Sequence, residues 1–210
     1  LLQTKQSLAT KPLDGLGGEG FVKLSCIGSE YFINNKPSSK VELERLFTSW
    51  KSSTSGYVVT EYLKPHRDIA AIWGETPNTL RVAAYRLPEK CAEIPIAYVR
   101  IGTKATGVVD NTHAGGLVSL IDNETGEYKE GKQYINKRMV DCHVHPDSGT
   151  LIKGTVPYWS LITKTIVEIT NYLPQLRFWG FDVAVVDDGF KILEINSFLD
   201  IHTVQCFKPV

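Results

Sequence analysis

Phe181-Asp182-Val183-Ala184-Val185-Val186-Asp187-Asp188-Gly189-Phe190-Lys191-Ile192-Leu193-Glu194-Ile195-Asn196 is the stretch whose reading decides the fold. Two runs rich in β-branched and aromatic residues flank Asp187-Asp188-Gly189, a strong hairpin signal. Successive side chains of a strand point to opposite faces. Ile192, Glu194 and Asn196 are therefore expected on one face, and Lys191, Leu193 and Ile195 on the other. A three-residue loop would pair Val186 with Phe190 and set Asp182 opposite Glu194; a two-residue loop would turn Asp182 away. Two carboxylates and an amide oxygen among Phe181, Val183, Leu193 and Ile195 are costly unless paired or metal-bound. A small all-oxygen donor set suits Mg²⁺ that also touches substrate phosphates. The competing reading is a solvated polar face on an edge strand.

Upstream, Trp159, Ile162, Ile166, Ile169 and Leu173 recur at spacings of three and four, which predicts a helix over 157–173 that Pro157 opens and Pro174 stops. Residues 79–86, 94–102 and 116–122 alternate with period two and are expected as strands. Arg81 and Arg100 lie inside the first two, where a side chain aimed from a sheet can hold phosphate or carboxylate bidentately. Snorkelling to the surface is the alternative. The loop 103–116 contains Thr103, Asp110, Asn111, His113, Gly115 and Gly116; it is too polar for core and reads as substrate-facing or as a plain surface connection. In Cys142-His143-Val144-His145 the two histidines would share a strand face, but no third zinc ligand is spaced nearby. A turn at His145-Pro146-Asp147 is the preferred reading.

Near the start of the chain, Gly15, Gly17, Gly18 and Gly20 follow Lys11 and stand between two strand-like segments. Such a loop can turn its N–H groups toward phosphate, and a lysine beside it can meet the same charge. No Gly-Lys-Ser/Thr follows and no helix follows, which excludes the Walker and Rossmann devices. A mobile lid over a triphosphate and a flexible hairpin without ligand both remain. Ser39 and Glu42 form a capping box that opens a short helix. Residues 57–63 read as a buried strand ended by Pro65. The expected organisation is a small lobe over 1–64 and a large lobe over 65–210, together an α+β protein with antiparallel sheets.

The 210 residues carry 23 Lys+Arg against 23 Asp+Glu. That balance gives no reason to expect binding to nucleic acid or to a membrane surface. No apolar run is long enough to span a membrane. Four dispersed cysteines read as free thiols of a reducing compartment, so a cytoplasmic location is expected. The chain opens at Leu1 rather than Met, and an N-terminal domain of the same protein is expected upstream.

The ordered set Lys11-Pro12, the glycine loop, Val58-Val59-Thr60-Glu61-Tyr62-Leu63, Asn78-Thr79-Leu80-Arg81, Arg100-Ile101-Gly102, Val109-Asp110-Asn111, Gly115-Gly116, Gly180-Phe181-Asp182-Val183-Ala184 and Leu193-Glu194-Ile195-Asn196 resembles the ATP-grasp superfamily. More narrowly, the motifs from Asn78 to Arg81, Arg100 to Gly102, Val109 to Asn111, Gly115-Gly116 and Gly180 to Ala184 resemble the sugar-transfer-associated group, described as related to α-L-glutamate ligases. The resemblance implies ATP and Mg²⁺ as cofactors. It assigns Lys11 and Gly15, Gly17, Gly18 and Gly20 to the ATP phosphates, and the backbone of Glu61, Tyr62 and Leu63 to the adenine edge. Asp182, Glu194 and Asn196 would hold the metal, and Arg81 and Arg100 would stabilise phosphate or an acyl-phosphate. The implied reaction joins a small-molecule carboxylate to an amine; a small-molecule kinase and a non-catalytic nucleotide-binding module are the rival readings.

Overall fold

The computed structural model describes residues 2, 6–15, 17–136, 138–173, 175, 177–197 and 201–207. The chain divides into two units, residues 1–63 with 107–109, and residues 64–106 with 110–210.

In the first unit a five-stranded antiparallel sheet has the order β4-β3-β2-β1-β5. Its strands are β1 (Ser7–Pro12), β2 (Val22–Ile27), β3 (Glu30–Ile33), β4 (Lys36–Ser38) and β5 (Tyr57–Glu61). The glycine loop joins β1 to β2. Asn34 and Asn35 turn β3 into β4 with φ of 50° and 63°; asparagine tolerates the left-handed region better than most residues. Helix α1 (Lys40–Lys51) starts at the expected capping box: Glu42 N donates to Ser39 Oγ at 3.2 Å, and Ser39 N donates to Glu42 Oε2 at 2.7 Å. Seven residues apart, Leu43 and Trp50 share a helix face and join Leu8 and Leu24 in a small core. The expectation of a buried strand over 57–63 is corrected. Strand β5 is shorter and none of its residues is buried. It lies at the sheet edge, pairing only with β1, so Val59 stays 45% exposed.

The second unit is built on an eight-stranded antiparallel sheet. Strands β6 (Leu80–Tyr85), β7 (Glu93–Ile101) and β8 (Leu117–Ile121) match the period-two segments. Strands β9 (Glu127–Ile135), β10 (Arg138–Cys142) and β11 (Lys153–Thr155) were not anticipated, because their sequences are polar and Gly131 interrupts the alternation. The hairpin of β12 (Phe178–Val186) and β13 (Gly189–Asn196) completes the order β10-β9-β8-β7-β6-β12-β13, with β11 paired to β9. A short helix α2 (Arg67–Ala70) precedes β6. Helix α3 (Trp159–Tyr172) packs on β6 and β7, burying Ile162 and Ile166 against Val82, Val99 and Phe181. It begins after Pro157 because Tyr158 is left-handed, with φ of 61°. Pro174, the expected stop, lies outside the described residues.

On the opposite sheet face Tyr98 and Val118 meet Val204 of helix α4 (Ile201–Gln205). That face also carries the charged residues described next. Among the described residues no helix is long and apolar enough to cross a membrane.

Candidate functional site

The β12–β13 hairpin brings Asp182 and Glu194 opposite each other by a different route from the one expected. The turn holds two residues, and Val186 pairs with Gly189. From there the register runs Val185 with Phe190, Ala184 with Lys191, and Val183 with Ile192. Unbroken, it would set Asp182 against Leu193. A β-bulge at Leu193 shifts the pairing by one, so Asp182 meets Glu194 and Gly180 meets Asn196. The three-residue loop and the shared face of Ile192 with Glu194 are therefore corrected. Ile192 packs against the core, while Glu194 and Asn196 face the other way with Asp182. The two-residue turn pairs Lys191 with Ala184 and so puts it on the face of Asp182; the bulge then brings Glu194 to that face, where straight alternation had set the two on opposite sides.

Next to β12, strand β6 pairs Arg81 directly with Asp182. Arg81 Nη2 donates to Asp182 Oδ2 at 3.2 Å, and Arg100 Nη2 of β7 donates to the same oxygen at 3.0 Å. The three side chains are 13%, 16% and 8% exposed, so this is a buried cluster rather than a solvated ion pair. Arg81 Nε lies 2.5 Å from Asp182 Oδ1, but its N–H is not aimed at that oxygen, and both atoms lack a hydrogen bond. Burial lifts the Asp182 carboxyl above the usual carboxylate range; Arg100 and Arg81 oppose this and the charge of Glu194 adds to it. For Arg100, burial disfavours the charged form, yet Asp110 and Asp182 outweigh it and raise its affinity for the proton. On neither arginine does Nη1 have a hydrogen-bond partner among the described residues.

Asn196 Nδ2 donates to Glu194 Oε1 at 3.2 Å, which leaves the Asn196 amide oxygen as a donor to a cation. Glu194 and Asp182 lie on the same face, so the residues that would hold Mg²⁺ offer oxygen donors, the chemistry that ion takes, although Asp182 Oδ1 is buried against Arg81. Among the described residues no three of His, Cys, Asp and Glu are grouped to hold a metal. In the histidine motif, both ring nitrogens of His145 are already engaged. His145 is fully buried: Nε2 faces Gly102 O at 2.8 Å, and Nδ1 accepts from the backbone N–H groups of Asp147 and Ser148, each at 3.2 Å. The ring stacks on Trp73, with centroids 4.9 Å apart.

Behind Arg100 the chain is held by Asn78, whose φ is 50°. Its Oδ1 accepts from Thr76 Oγ1 at 2.6 Å and Gly102 N at 3.0 Å, and its Nδ2 donates to Trp73 O. A Cβ on Gly102 would come within 2.9 Å of Thr76 Cβ and closer still to its Oγ1. Gly102→Ala is expected to cost about 1–3 kcal/mol through this overlap, read as a lowered urea midpoint with an unchanged slope.

Within the first unit, Gly17, Gly18 and Gly20 adopt φ of 60°, 83° and 69°. A Cβ on Gly15 would approach Glu19 O to 2.8 Å, and one on Gly20 would approach Pro12 Cγ to 2.6 Å. Glycine is thus required by the loop's own shape; Leu16 lies outside the described residues. Lys11, near the end of β1, is exposed and pairs with Val58. Past Glu61, Tyr62 N donates to Ser7 O at 3.3 Å, and Leu63 follows. Tyr62 OH donates to Val108 O at 3.2 Å, and Lys23 Nζ sits 4.2 Å above the Tyr62 ring. Residues 107–109 of the expected substrate loop belong to this unit. Thr79 and Lys191 are groups on this face that received no role from the sequence, and Asp110 was singled out only as one member of the loop 103–116. A hydroxyl beside a strand arginine was the available signal for Thr79.

Two antiparallel sheets, a glycine-loop hairpin and an acidic terminal strand are consistent with an ATP-grasp protein. The family model for sugar-transfer associated ATP-grasp proteins matches residues 1–208. The chain belongs to that family, as its ordered motifs suggested. ATP-grasp proteins are usually catalytic and generally use ATP and Mg²⁺. No curated protein matches the chain.

Proposed function

We propose that this chain carries the ATP-using centre of a carboxylate–amine ligase that works through an acyl-phosphate. The observation that carries the reading is the buried Arg81–Asp182–Arg100 cluster, with neither Nη1 group claimed among the described residues and with Glu194 and Asn196 on the same sheet face. A substrate carboxylate oxygen attacks the γ-phosphorus, and the bond to the ADP oxygen breaks. An amine then attacks the acyl carbon; phosphate leaves and the amine proton is released. Charge develops on oxygen in both steps, and fixed guanidinium donors stabilise it without reorganising. Arg81 and Arg100 supply those donors through Nη1. Asp182, Glu194 and Asn196 would hold Mg²⁺, which when bound neutralises phosphate charge. In the same reading Lys11 and the N–H groups of Gly15, Gly17, Gly18 and Gly20 bind phosphate, and the backbone of Glu61, Tyr62 and Leu63 binds adenine. The family's association with sugar transfer points first to substrates of polysaccharide or cell-surface assembly.

The test is ADP release by the full-length protein with candidate acids and hydroxylamine in place of the amine. Acid-dependent ADP with hydroxamate formation supports the ligase. A phosphorylated product that resists hydroxylamine would make it a kinase. ATP binding with no ADP from any acid would make it a non-catalytic module.

A further inference from the structure

Arg100 is held from behind by two residues that are neither proposed metal ligands nor proposed phosphate donors. Thr79 Oγ1 accepts from Arg100 Nε at 2.9 Å and from Nη2 at 2.5 Å. The same hydroxyl donates to Asp110 Oδ2 at 2.7 Å, and Thr79 N donates to that oxygen at 2.5 Å. A hydroxyl has one proton and two lone pairs. Because Asp110 takes the proton, both lone pairs are left for the guanidinium. Thr79 is 4% exposed and Asp110 9%, so water does not compete freely for these groups. Asp110 Oδ1 lies 3.9 Å from Arg100 Nε, adding charge compensation without a hydrogen bond.

The planar guanidinium is thereby clamped along its Nε–Nη2 edge, by Thr79 on one side and Asp182 Oδ2 on the other. Five N–H donors sit in a rigid fork, so fixing one edge fixes the direction of the rest. Nη1 is what remains. We propose that Thr79 and Asp110 are positioning residues that aim Arg100 Nη1 at the reacting phosphoryl or acyl oxygen. The reaction named here rests on the ligase reading; the clamp itself does not.

Thr79→Val keeps the side-chain shape and removes the acceptor. It is expected to lower kcat for ADP release about 10–100-fold, the effect of losing a partner that orients a functional group, with the KM for ATP within about twofold. Thr79→Ser should restore kcat, and Asp110→Asn should show the same loss confined to kcat. Independently of turnover, ¹⁵N NMR of the arginine side chains should show the Arg100 Nε–H exchanging with solvent about 10–100-fold faster in Thr79→Val, the worth of a hydrogen bond to a charged group. Unchanged Nε–H protection in Thr79→Val, or a loss carried by KM with kcat intact, overturns the proposal. If protection depends on Thr79 while the wild-type protein forms no ADP with any acid, the clamp stands and the ligase reading falls.

Discussion

Replacing Asp182 by alanine is expected to destabilise the fold by about 3–5 kcal/mol, the usual result of removing one partner of a buried ion pair. The loss is large because Asp182 Oδ2 alone receives hydrogen bonds from two guanidiniums, and the side chain is 8% exposed. Without it, Arg81 and Arg100 face each other in a region that water barely reaches. For a chain of this size the change corresponds to roughly 6–20 °C in Tm, measurable by scanning calorimetry. The exposed pair Lys40–Glu44, at 3.9 Å, is the internal control: Lys40→Ala should shift stability by less than about 0.5 kcal/mol. Burial already pushes the Asp182 carboxyl upward, so its charge is expensive to keep. Replacing all three members with apolar residues of similar volume should therefore recover much of the stability while removing activity. Recovery of that kind would mark the cluster as kept for chemistry rather than for folding. A Tm in Asp182→Ala equal to the wild type would show that the cluster is not the sealed charge network described.

Replacing Glu194 by alanine is expected to do the reverse, leaving the fold intact and removing the reaction. Glu194 is exposed and accepts a hydrogen bond from Asn196, two residues along the same strand. Its folding contribution should stay within about 0.5 kcal/mol, as for ordinary surface substitutions. ADP release should fall by at least about 10²-fold, the scale of losing one electrostatic group at a reacting phosphate. Binding gives a second readout, since a ligand that prefers the native state raises Tm in proportion to ln(1 + [L]/Kd). ATP with Mg²⁺ should raise the Tm of the wild-type protein, and adding Mg²⁺ to ATP should change little in Glu194→Ala. Wild-type rates of ADP release from the variant would remove Glu194 from the centre.

Much of this arrangement was legible from local pattern. Alternation identified β6, β7 and β8, and the capping box identified the start of α1, because those signals come from a few neighbouring residues. The pairing of Asp182 with Glu194 was also anticipated, though from the wrong loop. A bulge is a compromise between distant demands, here a core that needs Ile192 and a polar face that needs Glu194, and no single window of sequence states it. Strand β5 was misread because an apolar run does not reveal whether a second strand will cover its outer edge. The contact between Thr79 and Asp110 was missed for a related reason. They are 31 residues apart, and they meet only when the loop after β7 returns to the residue that precedes β6.

The bulge at Leu193 also makes proximity and direction separable in this hairpin. A chain lacking Leu193 would place Glu194 directly after Ile192, and the two-residue turn would then bring Glu194 to Asp182 with no interruption. The carboxylates would remain neighbours, but the added local twist that a bulge imposes would be gone. Strand β13 thus holds one residue of slack, used to orient its acidic side chain rather than to deliver it.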